Sequence, residues 1–201
     1  QRWVSNSNSQ PVKVYGPEGV NTVVNGFMQA YSLDQGYRVA HHGEAIVPRS
    51  GFGAQAVRFN TQPFETSLVF EAQDTQIHAF SVAHAPIHPA VGYKISYKGR
   101  SIVISGDTTP SVHVAKAAQG ADVLIHEAMS MELMQLLQEG AKTAKRDKLE
   151  QIMKDITDYH TSPVQAAEIA QQAQVSFLLL HHIAPPLPLP GLVEVFLKGT
   201  K

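Results

Sequence analysis

Ser101-Ile102-Val103-Ile104-Ser105-Gly106-Asp107-Thr108-Thr109 is the stretch that decides the fold of this chain. Its apolar run reads as a buried strand, and Asp107 stands just past the tip. A carboxylate there must be paired, capped or bound to a metal, because leaving it bare costs several kcal/mol. Histidines that could converge on it lie upstream (His84) and downstream (His160 and His182). A metal site is therefore the leading expectation. Read alone, Asp107 could equally be a helix N-cap or a turn residue.

Composition narrows the choices. The chain has 201 residues, 43% of them hydrophobic, which suffices for one α/β core. A net charge of −1 is a poor footprint for a nucleic-acid binder, which usually carries a basic patch or stripe. There is no cysteine, so a metal must sit on His, Asp or Glu, a set that suits zinc, manganese or iron. No apolar run is long enough to span a membrane, and no signal-peptide pattern is read in these residues, which is uninformative given how the sequence begins. The sequence opens on Gln1 rather than Met and stops at Lys201 soon after an apolar stretch. Both ends are read as cut, and cytoplasmic and exported locations stay open.

Outward from the deciding stretch, the elements alternate. Val12 to Tyr15 reads as a strand and Gly16-Pro17-Glu18-Gly19 as a turn. A helix is expected from there to about Asp34, with Val20, Val23, Val24, Phe27 and Met28 at helical spacing. Residues 36–52, rich in Gly, Pro and His, read as a loop. Strand-like runs follow at Ala54 to Phe59, Ser67 to Glu71 and Gln76 to Ala83. Val91 to Tyr97 and Ser101 to Ser105 form a predicted hairpin. Thr108 or Thr109 is expected to cap a helix ending at Gly120. Val123 to Ile125 is a short strand, Met131 to Glu139 and Thr143 to Ile156 are helices, and Ser162-Pro163 opens another. Phe177 to Leu180 is a strand ending at His181-His182, and the prolines from Pro185 to Pro190 give an extended loop. The polar residues of interest all fall just past apolar strands, where α/β scaffolds place their chemistry.

Each candidate has a plainer reading. His84 is either a metal ligand with a partner on its other nitrogen or a structural strand-end residue. Glu127, in His126-Glu127, is either a buried partner for an imidazole or a solvated loop carboxylate. His160 is either a proton donor held by such a carboxylate or an ordinary residue ahead of a helix. His181 competes with His182. His41, His42 and His88 are weaker candidates for a substrate pocket, and His78 and His113 read as structural. The charged run Lys142 to Asp155 reads as a solvated helix face, and Met129, Met131 and Met134 as packing.

The ordered set Val-x-His84, Gly92-Tyr93, Ser105-Gly106-Asp107-Thr108, His126-Glu127-Ala128, His160-Thr161-Ser162 and Leu180-His181-His182 resembles the metallo-β-lactamase superfamily, in its ribonuclease Z and arylsulfatase-like branch. The resemblance runs from Tyr15-Gly16-Pro17 to Pro190. It implies an α/β fold, the αβ/βα four-layer sandwich, incomplete at its N-terminus. Residues 1–201 would be a single domain, the C-terminal part of the hydrolase domain. It also implies two divalent metal ions, zinc first, with Mn2+ or Fe2+ as alternatives. Carried over, His84, Asp107 and His182 are metal ligands, with Asp107 bridging. His182 is preferred to His181 because the family ligand stands three residues before a proline, here Pro185. Glu127 and His160 match the family's carboxylate–histidine pair, with His160 the proton donor and a metal-bound hydroxide the nucleophile.

Two departures shape the functional expectation. The leading His-x-His-x-Asp-His motif is absent, and in such proteins it precedes the Tyr-Gly-Pro segment. This chain alone is therefore expected to bind metal weakly and to turn over little. The long arm that grips tRNA in ribonuclease Z enzymes is also absent, since only a short hairpin joins Tyr93 to Ser105. The expected activity is hydrolysis of small phosphodiester or sulfate-ester substrates, with His41, His42 and His88 lining the pocket. Nucleic acid is disfavoured as a partner. A homodimer paired through the helices between Met131 and Ile156 is an option. Alternatives are a tRNA 3′-processing endoribonuclease and a non-catalytic subunit of the same fold.

Overall fold

The computed structural model describes Trp3 and residues 8–62 and 65–200. The chain packs as two compact units, Gln1–Asn60 and Thr61–Lys201.

In the first unit, β1 (Val12–Gly16) pairs in parallel with β2 (Ala54–Arg58). Two helices connect them, α1 (Val20–Ala30) and α2 (Ser32–His42). The sequence suggested one helix and then a loop from residue 36. The break instead falls at Tyr31, and the helical path resumes to His42. Gly36 is a poor helix former and drew the loop reading. Burial of Val39 in a cluster with Trp3 and Val47, and the Asp34–Arg38 pair at 2.7 Å one turn apart, outweigh it. His41 and His42 consequently close a helix rather than ride on a loop, with their rings edge-on at 4.5 Å.

The second unit is built on one sheet, β3 (Thr66–Ala72), β4 (Thr75–Ser81), β5 (Val91–Tyr97), β6 (Arg100–Ile104), β7 (Val123–Met129) and β8 (Phe177–Ala184), in that order across the sheet. The first four strands run antiparallel in hairpins, and β6, β7 and β8 run parallel. Parallel neighbours need crossovers. The first carries α3 (Val112–Ala117), and the second carries α4 (Met131–Thr143), α5 (Asp147–Asp155) and α6 (Pro163–Gln172). Phe80, Val103 and Leu124 from the sheet pack with Val114 of α3 and Ile169 of α6 in one core. Small residues of α3 and α6, Ala115, Ala117 and Ala170, let both helices lie close to that core.

Gly92 explains part of the Gly-Tyr motif. A Cβ there would meet the Phe80 ring at 2.4 Å and the Ile104 carbonyl oxygen at 2.8 Å. The cap of α3 is Ser111, not Thr108 or Thr109; its hydroxyl accepts the amide of His113. A short helix, α7 (Leu192–Phe196), follows the proline-rich loop that the sequence left without structure. Phe196 packs there with Ala128 and Leu133.

Candidate active site

The deciding stretch behaves as its residues require. β6 ends at Ile104, and the chain turns at Gly106, whose φ of +65° lies in the left-handed region. A Cβ at Gly106 would meet the Val91 carbonyl oxygen at 2.5 Å, so glycine is needed twice over. Ser105, buried beneath it, donates its hydroxyl to the Gly106 carbonyl and accepts the amide of Glu127 at 3.0 Å. Asp107 is thereby set at the C-terminal end of β6, beside the ends of β7 and β8.

Glu127 is fully buried. Of its two readings the solvated one is excluded. Its Oε1 accepts the amides of Thr108 at 3.2 Å and Thr161 at 3.0 Å, and His160 Nδ1 lies 3.2 Å away. This contact holds the His160 ring by its Nδ1. Thr161 donates its hydroxyl to the Thr108 carbonyl at 2.6 Å, and Thr108 bonds the Ala83 backbone next to His84. Sequence reasoning gave Ser105 and Thr161 no role of their own and read Thr108 only as a possible helix cap. The signal was present, since each is a hydroxyl residue within two positions of a motif carboxylate or histidine.

His84 directs Nδ1 to the Tyr159 carbonyl at 3.0 Å, so its Nε2 is the free donor atom. Its ring centre lies 5.5 Å from that of His160, which lies 5.7 Å from that of His182. His182 Nδ1 sits 3.3 Å from Asp107 Oδ1, both side chains about half exposed. His182 belongs to β8 rather than to the loop after it and holds φ at +48°. A residue with a side chain reaches that region only at a cost, and such outliers cluster at functional sites. The structure thus brings His84, Asp107, Glu127, His160 and His182 together. His88 is exposed on the loop after His84, and His41 and His42 belong to the first unit.

Burial pushes the Glu127 carboxyl up to about 7, against the two backbone amides that favour its charge, and Asp107 nearby adds to the rise. Burial likewise pushes His160 down, while Asp107 pulls it back up. His126, also fully buried, is pushed down by burial and sits with Nδ1 2.7 Å from the Glu127 carbonyl.

The donor set fits a divalent cation. Ligand atoms of Glu127, His160 and His182 lie within 4.8 Å of one another. Glu127 Oε2 is buried without a hydrogen-bond partner among the described residues, an arrangement that a nearby cation would relieve. That triad overlaps the His84, Asp107 and His182 set only at His182. Glu127 Oε1 already takes two backbone amides, and Asp107 Oδ1 faces His182 Nδ1.

Comparisons with known proteins agree on the class. The beta-lactamase superfamily domain matches residues 5–183, and the chain belongs to that family, whose fold is the metallo-β-lactamase fold of hydrolases. It is 33% identical over 192 residues to a ribonuclease Z of Mycolicibacterium gilvum, covering 94% of this chain and 60% of that protein. It is 31% identical over 188 residues to a ribonuclease Z of Mycobacterium avium, covering 92% and 60%. The chain therefore spans about 60% of the length of these curated relatives. Among solved structures, the metallo-β-lactamase fold protein YhfI from Bacillus subtilis superposes with TM-score 0.56 at 16% identity, over 98% of this chain and 61% of that one. The short form of human tRNase Z gives TM-score 0.55 at 22% identity, over 87% and 61%. Both show the fold. No helix among the described residues is long and apolar enough to cross a membrane.

Proposed function

We propose that this chain carries the proton-transfer half and part of the metal-binding half of a metal-dependent phosphodiester hydrolase. His84, Asp107 and His182 hold the cation, two zinc ions being the expected complement. Both units belong to one hydrolase domain. The observation that carries the reading is the buried Glu127–His160 pair beside His84, Asp107 and His182. A bound divalent cation supplies the activation of water and the stabilisation of developing charge. Glu127 fixes the His160 ring through Nδ1, and Nε2 protonates the leaving oxygen. Thr108 and Thr161 hold the carboxylate still, which preserves the geometry that proton transfer requires. A fold that had lost its chemistry would have no need of this buried, bonded carboxylate, which weighs against a non-catalytic subunit.

Phosphodiesters are preferred to sulfate esters because the relatives named ribonuclease Z are ribonucleases, enzymes of phosphodiester bonds. A small substrate is preferred because β5 and β6 join through Lys98-Gly99 alone, so no arm for a large RNA stands there. Those same relatives' names favour the second reading, 3′ processing of precursor tRNA. The test is a side-by-side assay of the full-length, zinc-loaded protein on bis-p-nitrophenyl phosphate, p-nitrophenyl sulfate and a precursor tRNA. Diester cleavage without tRNA cleavage is expected. Efficient tRNA cleavage would replace the small-substrate reading, and no cleavage of any of the three would remove both.

A further inference from the structure

His126 is fully buried and carries no role in the proton transfer assigned to Glu127 and His160. It stands on β7 one residue before Glu127. Side chains alternate along a strand, so it shares a face with Leu124 and Ala128 while Glu127 takes the other. Both neighbours on its face lie in apolar clusters, Leu124 with residues of α3 and α6 and Ala128 with Leu133 and Phe196. An imidazole is a costly filler for such a place, because its polar atoms leave water.

Only one of its ring nitrogens is used among the described residues. Nδ1 lies 2.7 Å from the Glu127 carbonyl oxygen. A carbonyl only accepts, so Nδ1 carries the proton. Nε2 is buried with no partner among the described residues. Burial favours the neutral ring, which leaves that nitrogen a bare acceptor. The imidazole thus keeps a single donor, aimed at one backbone oxygen.

That oxygen sits where the strand needs support. The register of β7 against β8 slips between Glu127 and Ala128, and such a bulge disrupts the ladder locally. At the other end of the same residue, the Glu127 amide donates to the Ser105 hydroxyl at 3.0 Å. Side chains therefore hold the Glu127 backbone on both sides of its Cα, Ser105 at the amide and His126 at the carbonyl. Fixing those two peptide groups fixes the direction in which the side chain leaves the strand. The direction matters because Oε1 must meet the amides of Thr108 and Thr161 and the His160 ring at once.

We propose that His126 is a positioning residue, whose Nδ1–H bond to the Glu127 carbonyl sets the aim of the Glu127 carboxylate and, through it, of His160. The consequence for His160 rests on its reading as proton donor; the hold on Glu127 does not.

The test compares two amide variants of the full-length, zinc-loaded protein. His126→Asn puts an N–H donor about where Nδ1 stands, on a smaller side chain. His126→Gln is nearer histidine in volume but carries its amide about where Nε2 stands. The first restores the bond to the carbonyl, and the second restores the packing. Nuclear magnetic resonance then reads the backbone amide protons of Thr108 and Thr161, which report their bonds to Glu127 Oε1. His126→Gln is expected to shift both signals upfield, and His126→Asn to leave them near their original positions. On an alkyl diester His126→Gln should lower kcat about 10- to 100-fold with little change in KM, and His126→Asn should recover most of that loss. On a p-nitrophenyl diester the loss should be far smaller. Signals that stay in place in both variants, shift alike in both, or shift only in His126→Asn overturn the proposal. The signals are read without turnover. If they follow the expected pattern while His160→Ala proves no worse on the alkyl diester than on the p-nitrophenyl one, only the proton-donor reading fails. If His160 behaves as a donor and the signals depart from the pattern, only this inference fails.

Discussion

Glu127 decides what the site can do, and its burial has a measurable cost. Its carboxyl titrates near 7 in the folded protein against 4.5 as the ordinary value, a consequence first of burial. Below the lower value both folded and unfolded chains hold the proton, and the group adds nothing unfavourable. Between the two values the unfolded chain releases the proton while the folded chain keeps it, so stability falls as pH rises. Above about 7 the loss is complete. For the metal-free protein, the penalty amounts to on the order of 3 kcal/mol. Glu127→Gln should flatten this part of the stability curve, measured by denaturant unfolding at pH 4 and pH 7.5. Parallel curves for the two proteins would show that the carboxyl is ionised throughout. His160→Ala should lower kcat by about 10²- to 10⁴-fold on an alkyl diester. It should lower kcat far less on a p-nitrophenyl diester, whose leaving oxygen needs no proton. Equal losses on both would make His160 a positioning residue. His126-Glu127 as letters left the buried and the solvated reading of Glu127 open. Which segments close over a strand end depends on chain that is 34 residues away at Thr161.

At the scale of elements, the turn after β6 is the tightest constraint. Gly106→Ala puts a side chain where φ is +65° and where the Val91 carbonyl stands 2.5 Å off. Left-handed backbone alone costs about 1–2 kcal/mol for a residue with a Cβ. The close approach must add to that and push Asp107 off its position opposite His182. A fall in Tm together with weakened zinc binding is expected by calorimetry, and a normal zinc affinity would mean the turn does not position Asp107. The strands themselves were readable because Val, Ile and Leu runs between Gly and Pro leave few other options. The first helix was readable too, but its break and the second helix were not, because a lone Tyr31 between Ala30 and Ser32 carries no breaker signal. α7 was hidden behind Pro185 to Pro190, since prolines mark a stop but carry no signal for the element beyond them.

For the molecule as a whole, the three parallel strands β6, β7 and β8 end side by side, and that places Asp107, Glu127 and His182 at one edge. The sequence foresaw this convergence because each strand was followed by its polar residue. It could not show that His182 lies inside β8 at a left-handed angle, since a bulge against β7 between Glu127 and Ala128 sets it there. A cation bound at this edge stabilises only the folded form. Removing zinc from the full-length protein with a chelator should lower stability by about 4 kcal/mol if zinc had stood at a thousand times its Kd. Thermal unfolding with and without chelator checks this. An unchanged Tm would mean that the cluster holds no cation in the folded state.

The single oxygen Oε1 of Glu127 gathers two amide protons from segments on either side of β7, 19 and 34 residues distant. Neither amide can reach solvent deuterium unless the crossover bearing α3 and the approach to α6 part from β7. Thr108 and Thr161 should therefore exchange at one common, slow rate, equal to that of the innermost strand amides such as Leu124. The groups proposed to react then belong to the last part of the protein to open, and the site disappears only when the second unit does.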